Sequence, residues 1–386
     1  MRTLKKLPLL LALQIVVIHV FAQEKAGDVS SHVKYIDADD IYQFVNGVAV
    51  IKKGMSTALI DTNGNFIVPY NQYHFHGGPN SGYASGKDGI IMADEGKADF
   101  TPPFVLLNLQ GKKIYSSANR YIGVSDGYAE TYETPRTSVY INSEGKVIKA
   151  TAPLKWNGLD WGRDSHDFSS GLTVFFTFDS HKPMESIKKM YGFIDRTNKV
   201  IISPIYDYAD GFSEGLALVG KYNEFKEMKF GFVDSTGKLV IPLMYSKILS
   251  SFKEGLALIE PADRSEFSYA FINRQNEIVI KLKPGLMSRP GDFKDGYAAL
   301  TPNARTDAGY YEDGYYIDKT GRMLNAKEMS ALRPAKFAGI FSSYVRYTYD
   351  PYSKFAIAEK VINQKTVKGY VNGLGVFKII IQNKTF

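Results

Sequence analysis

Hydrophobic and polar positions along this chain follow two short cadences in turn, both strand-like rather than helical. The first is an aromatic or apolar residue, two mostly polar positions, a glycine, and then a run of small and large apolar residues. Its clearest copies are Phe212-Ser-Glu-Gly-Leu-Ala-Leu-Val219 and, forty residues later, Phe252-Lys-Glu-Gly-Leu-Ala-Leu-Ile259. It recurs from Phe44, Val124, Phe168 and Phe293. The second is two apolar residues, an Asp or Asn, two free positions, a Gly or Asn, and another apolar run. The Asx position is taken by Asp61, Asn108, Asn142, Asp195, Asp234, Asn273, Asp318 and Asn372. Three residues on stand Gly64, Gly111, Gly145, Asn198, Gly237, Asn276, Gly321 and Gly375. An Asx side chain accepts from backbone two residues ahead and starts a turn. The third residue must then be left-handed, which Gly and Asn tolerate. Each second cadence therefore predicts a tight hairpin.

Together the cadences predict a unit of three strands, in one copy about 215–221, 229–234 and 238–242. Pro69, Pro204 and Pro242 are expected to end third strands, since proline lacks the ladder donor. One such unit cannot cover both of its faces, so neighbours must stack. The fold class is all-β: a tandem array of about seven to eight three-stranded antiparallel repeats, propeller-like or an open curved array. The array is expected over 23–324. Residues 325–386 read as an irregular capping segment ending in a last hairpin, with Asn325 and Glu328 capping a short helix.

The cadence from Gly192 to Asp207, Gly-Phe-Ile-Asp-x-x-x-Lys-Val-Ile-Ile-x-Pro-x-Tyr-Asp, resembles the WG (KWG) repeat family. So does Gly231 to Tyr245. Tyr191 and Phe230 stand where the family has tryptophan. The resemblance implies an all-β array found in many bacterial proteins, and it carries no catalytic residues.

Composition sharpens the picture at the ends and in the chemistry. Arg2, Lys5 and Lys6 precede an apolar run from Leu7 to Val20, and Val20-Phe-Ala22 reads as a cleavage site, so 1–22 is expected to be a signal peptide. Its removal takes three basic residues from a net charge of +7, leaving +4 without a basic block, which argues against nucleic acid. No later stretch is long enough to span a bilayer. Cysteine is absent, so packing alone holds the fold.

Four turn positions carry Asn where others carry Asp, so the position needs no charge and predicts no metal. His74 and His76 read as loop residues rather than zinc ligands, and Asp160, Asp164, Asp167 and His166 as a polar connector rather than acid–base groups. No cofactor is expected. The structural turn residues are Asp61, Gly64, Asp195, Asn198, Asp234, Gly237, Asp318 and Gly321. Recognition is expected where the period breaks, in the connector 155–167, which holds both tryptophans. Trp156 and Trp161 offer broad apolar faces, and Asp160 and Arg163 offer charge beside them. The sequence thus predicts an exported, non-catalytic binding or scaffold protein of the cell envelope, periplasmic, surface-held or secreted, engaging a partner protein or a glycan. The other reading is a carbohydrate-active enzyme with its site in the mouth of the array.

Overall fold

A computed structural model describes residues 29–75, 87–95, 102–163, 167–283, 289–294, 296–300, 315–325, 328, 355–362, 365–372 and 376–382. Segment 1–22, Gly375, His76, Asp164 and His166 lie outside them. The described residues form small sheets in which chain neighbours run antiparallel. Two compact units result: Met1–Gly86, Leu109–Gly111 and Pro334–Phe386 make one, Lys87–Asn108 and Lys112–Arg333 the other.

In the first unit, strands Asp40–Ile41, Val48–Lys53, Ser56–Asp61 and Phe66–Val68 form one sheet. The second sheet joins the two ends of the chain. Strand Val29–Asp37 lies parallel to Phe377–Gln382, beside Lys365–Asn372 and Phe355–Ile362. The last hairpin is therefore completed by the first described strand. Phe44 and Tyr370 pack edge-to-face at 4.5 Å, and the buried Tyr370 hydroxyl donates to the Tyr42 carbonyl at 2.6 Å.

The second unit repeats one design in sheets spanning 90–117, 123–151, 160–206, 208–245, 257–282 and 297–325. Its logic is plainest in strand Leu216–Tyr222. Leu216 and Leu218 join the core shared with Phe252 and Ile272, while Ala217 and Val219 join the core shared with Leu172 and Phe193. Alternate side chains face opposite neighbours, so its buried stretch 216–220 is apolar at every position. In three successive copies the aromatic that opens the first cadence docks edge-on against a ring of the preceding sheet: Phe212 on Phe193, Phe252 on Phe232, Phe293 on Phe271, at 4.8–4.9 Å.

Four sheets have a strand more than the sequence predicts, because the first cadence is itself a hairpin. In Glu214-Gly215 and Glu254-Gly255 both residues have positive φ, as do Asp126-Gly127 and Ser170-Gly171. That is the two-residue turn whose twist matches a right-handed strand pair. The strand before it, such as Tyr208–Ser213, then pairs with the one after.

At the second cadence, Asp234 Oδ1 accepts from the backbone of Thr236 and Lys238 at 2.9 and 3.1 Å, and Gly237 has φ +89°. Asp61, Asp195 and Asp318 accept in the same way, and Gly64, Asn198 and Gly321 are left-handed. The Asn325 and Glu328 side chains each accept from the other's backbone N–H at 2.9 Å.

The prolines differ from expectation. Pro69 follows its strand, but Pro204 and Pro242 lie inside Val200–Tyr206 and Leu239–Tyr245. Each sits in a register shift: Tyr191 pairs with Tyr206 and Phe193 with Ile202, Phe230 with Tyr245 and Phe232 with Ile241, so extra residues bulge between them. A proline is tolerated there because the bulged residue has no ladder bond to lose. Gly231 lies opposite the bulge, where a Cβ would fall 2.5 Å from the Pro242 carbonyl oxygen.

Acidic residues tie successive units together. Asp88 accepts from Gly127 N at 3.1 Å, Asp126 from Gly171 N at 2.8 Å, Glu214 from Gly255 N at 2.9 Å, and Glu254 from Gly296 N at 2.9 Å. For three of these four acids, a basic residue just past the Asx position of the next unit reaches back to the same acid. Arg196 Nη1 lies 3.2 Å from Asp126, Arg274 Nη2 3.8 Å from Glu214 and Lys319 Nζ 3.0 Å from Glu254. Glu214 and Glu254 adopt φ of +53° and +52°, costly for a residue with a Cβ, and the clamp offsets that strain.

Candidate functional site

The connector is partly periodic. Trp156 and Leu159 exchange backbone hydrogen bonds around Asn157-Gly158, both left-handed, so this is one more two-residue hairpin. The Asn-Gly pair was a legible hairpin signal. Strand Asp160–Arg163 follows and opens the 160–206 sheet, with Trp161 opposite Thr177 and Arg163 opposite Phe175.

Trp156 and Trp161, both half-buried, meet the buried Phe175 edge-on at 6.1 and 6.4 Å. Trp161 Nε1 donates to the Pro153 carbonyl at 2.9 Å. The Asp160 carboxylate accepts from the Ser180 hydroxyl and from Lys155 Nζ at 3.4 Å, and the Ser180 hydrogen bond holds its carboxyl below the usual range.

Arg163 turns inward to the 123–151 sheet. Its Nη1 donates to Tyr140 Oη at 2.8 Å and its Nη2 to Glu130 Oε1 at 2.7 Å, both partners buried. Burial opposes its charge, but Glu130 and Tyr140 together more than offset this and raise its pKa. Burial likewise pushes the Tyr140 hydroxyl up to about 12. The structure thus groups the two tryptophans and Asp160 at one edge and commits the Arg163 guanidinium to the interior.

A second aromatic surface lies on the 160–206 and 208–245 sheets, across the strands at their loop ends. In one sheet Gly162 faces Phe176, which faces Tyr191, which faces Tyr206. In the next, Tyr208, Gly220, Phe230 and Tyr245 form the equivalent row. The glycines let the rings lie against the sheet. A Cβ on Gly162 would be 2.8 Å from Phe176, and one on Gly220 would be 2.8 Å from Phe230. Tyr191 and Phe230 occupy the position that is tryptophan in WG repeats.

Two rings of each row meet, Phe176 6.0 Å from Tyr191 and Tyr208 5.7 Å from Phe230, while Tyr206 is buried. Phe178 extends the first row at 5.9 Å, and Lys189 Nζ sits 3.8 Å above Phe176. Tyr208 is 41% exposed, and Phe176, Tyr191, Phe230 and Tyr245 are half-buried. The Tyr208 hydroxyl pKa is raised by burial first, then by Asp210 and Tyr191. Half-exposed rings with neutral hydroxyls can stack on, or pack against, a ligand and orient it by hydrogen bonds. The signal that could have found them was strand glycine opposite aromatic, a pairing in which the ring covers exposed backbone.

Solved structures with similarity to this chain include BamB from Moraxella catarrhalis, at 9% identity and TM-score 0.33 over 88% of this chain and 96% of that one. An uncharacterized Listeria monocytogenes protein has 13% identity and TM-score 0.35 over 92% and 99%. The β-propeller domain of the Trilobed protease from Pyrococcus furiosus has 12% identity and TM-score 0.33 over 76% and 96%. No curated protein matches the sequence. Residues 191–224 and 230–260 match the WG containing repeat, the family that the Gly192–Asp207 and Gly231–Tyr245 cadences resemble.

Proposed function

We propose that this chain is an exported, non-catalytic binding or scaffold protein of the cell envelope, and that its aromatic surface engages a partner protein or a glycan. The observation that carries this reading is the pair of aromatic rows, Phe176–Tyr191 and Tyr208–Phe230, repeated in consecutive sheets with part of each ring exposed. Aromatic side chains left at a protein surface are the commonest anchors of recognition. The connector tryptophans and Asp160 form a second contact surface in this reading, with Arg163 as an internal brace. The basic, then apolar, start of the chain supports export with cleavage after Ala22. Among the described residues no helix is long and apolar enough to cross a membrane.

Tyr208→Ser and Trp161→Ala test the two surfaces against glycan panels and envelope extract, with melting temperature measured in parallel. Loss of the bound material at unchanged stability is the expected result for each. If both bind as wild type does, the aromatic reading is wrong. If Trp156→Ala and Trp161→Ala each cost several kcal/mol, as buried aromatics do, those rings are core. Export is tested separately, since the intact mass of protein recovered from its host should begin at Gln23.

A further inference from the structure

The same loop, between the two central strands of a sheet, carries an isolated apolar tip in successive repeats. Loop 179–189 presents Met184, 87% exposed, and loop 223–227 presents Phe225, 75% exposed. The equivalent loop of the 40–68 sheet ends on Met55, 74% exposed, just after Lys52 and Lys53. The first two loops adjoin: Lys188 of one lies 5.9 Å from the ring centroid of Tyr222 at the base of the other, and 2.5 Å from Asp207.

Lysines lie within five residues of both tips, two of them in ion pairs, Lys188 with Asp207 and Lys229 with Glu227 at 3.1 Å. Lys182, Lys188 and Lys189 flank Met184, and Lys221, Lys226 and Lys229 flank Phe225, against Asp179, Glu185, Glu224 and Glu227, a net +2 across the two segments. Loop 223–227 is built to raise its tip. Asn223 Oδ1 accepts from Phe225 N and Glu227 N, both at 2.9 Å, in the Asx geometry of the repeat turns. The third residue after that Asn is Lys226, with φ +61°, where the repeat turns use Gly or Asn. A lysine held in a left-handed conformation is a local expense that points to use of its charge.

We propose that these two loops form a contact with an anionic lipid surface, in which Met184 and Phe225 enter the headgroup boundary and Lys182, Lys221 and Lys226 meet lipid phosphates. Single apolar tips on polar loops suit a deformable surface. A protein hot spot instead clusters its anchors in desolvated pockets ringed by other contacts. Lysine stems can lie along the apolar boundary while their ammonium groups stay at the headgroups. The inference does not rest on the ligand proposed for the aromatic surface, although Lys189 of the first loop sits over Phe176.

The test is co-sedimentation with vesicles of phosphatidylcholine alone and of phosphatidylcholine with phosphatidylglycerol. It uses the full chain, and a chain beginning at Gln23 whose melting transition matches it, so that the apolar leader does not supply the binding. The Gln23 chain should bind anionic vesicles and lose most of that binding in high salt. Met184→Ser with Phe225→Ser should weaken binding at least tenfold, and Lys182, Lys221 and Lys226→Gln should weaken it several-fold, with unchanged melting. No sedimentation of the Gln23 chain, or equal sedimentation of the tip variant, overturns the proposal. So does a tip variant that keeps vesicle binding but loses a protein partner, which would assign the loops to protein docking.

Discussion

The 208–245 and 257–282 sheets are adjacent copies of one unit, and they solve the same edge differently. In the first, Phe230-Gly231-Phe232 faces a third strand that bulges at Pro242. In the second, Tyr269-Ala270-Phe271 faces Leu282, Lys281 and Ile280 in continuous register. A bulge pushes backbone towards the middle strand, so the residue facing it must lack a Cβ. Where there is no bulge, alanine fits and is fully buried. Gly231 and Pro242 are therefore one device written at two positions eleven residues apart, and Ala270 with Lys281 is its counterpart. A bulged proline also leaves the sheet edge a poor template for further strands, one way proteins blunt exposed edges.

The largest expected effect breaks that device. Gly231→Ala should destabilise the protein by about 3 kcal/mol, because the methyl meets backbone rather than a side chain that can move. Ala270→Gly should cost only about 1 kcal/mol, the penalty of glycine in a strand. Denaturant midpoints measure both. Similar losses at the two sites would mean that the bulge does not impose the glycine.

A second contrast is in the clamps. Glu214 accepts from both Glu254 N and Gly255 N, and Arg274 lies beside it. One unit earlier the equivalent acid is Ser170, and the residue that would answer it is Ser235. Acid and base are thus both present at Glu214 and both missing at Ser170, while Asp88 keeps its acid with Ser143 in the basic position. Glu214→Ala should cost about 1–2 kcal/mol through its lost charged hydrogen bonds. The exposed Ser170→Ala should stay within about 0.5 kcal/mol. Ser170→Glu with Ser235→Arg should recover up to about 1 kcal/mol, as exposed ion pairs allow. Thermal unfolding of the double variant and its two singles gives the coupling.

The smallest effect concerns pH. The Asp234 carboxyl is held below its usual range, chiefly by the Thr236 hydroxyl and then by backbone donors, whereas the matching residue of the next sheet is Asn273. A depressed folded pKa contributes stability that is complete above the unfolded value of about 3.9 and is lost as pH falls through the folded value. Asp318 behaves alike, through Thr320. Asp234→Asn should flatten the acid side of the stability curve slightly and leave neutral pH almost unchanged. An unaltered acid slope would show that this turn carries no linked proton.

Sequence alone determined the repeat, the hairpin at every described Asx position and the stacking that follows from strands apolar at each residue. These are local consequences: an Asx acceptor and a left-handed residue act within five positions, and burial on both faces is written in one strand's composition. The first cadence was legible only in part. Its glycine was visible, but the left-handed glutamate before it and the clamp it forms depend on a turn in the next unit. The pairing of Gly162 with Phe176, and of Gly231 with the Pro242 bulge, likewise joins residues that meet only across strands. Trp161 and Arg163 illustrate the limit best. They stand two apart and share one face of a strand, yet one ring stays half-exposed at the sheet edge while the guanidinium is drawn inward. What drew it there is Glu130, thirty-three residues away in sequence, and only the packing of one sheet on another could place that carboxylate within 2.7 Å.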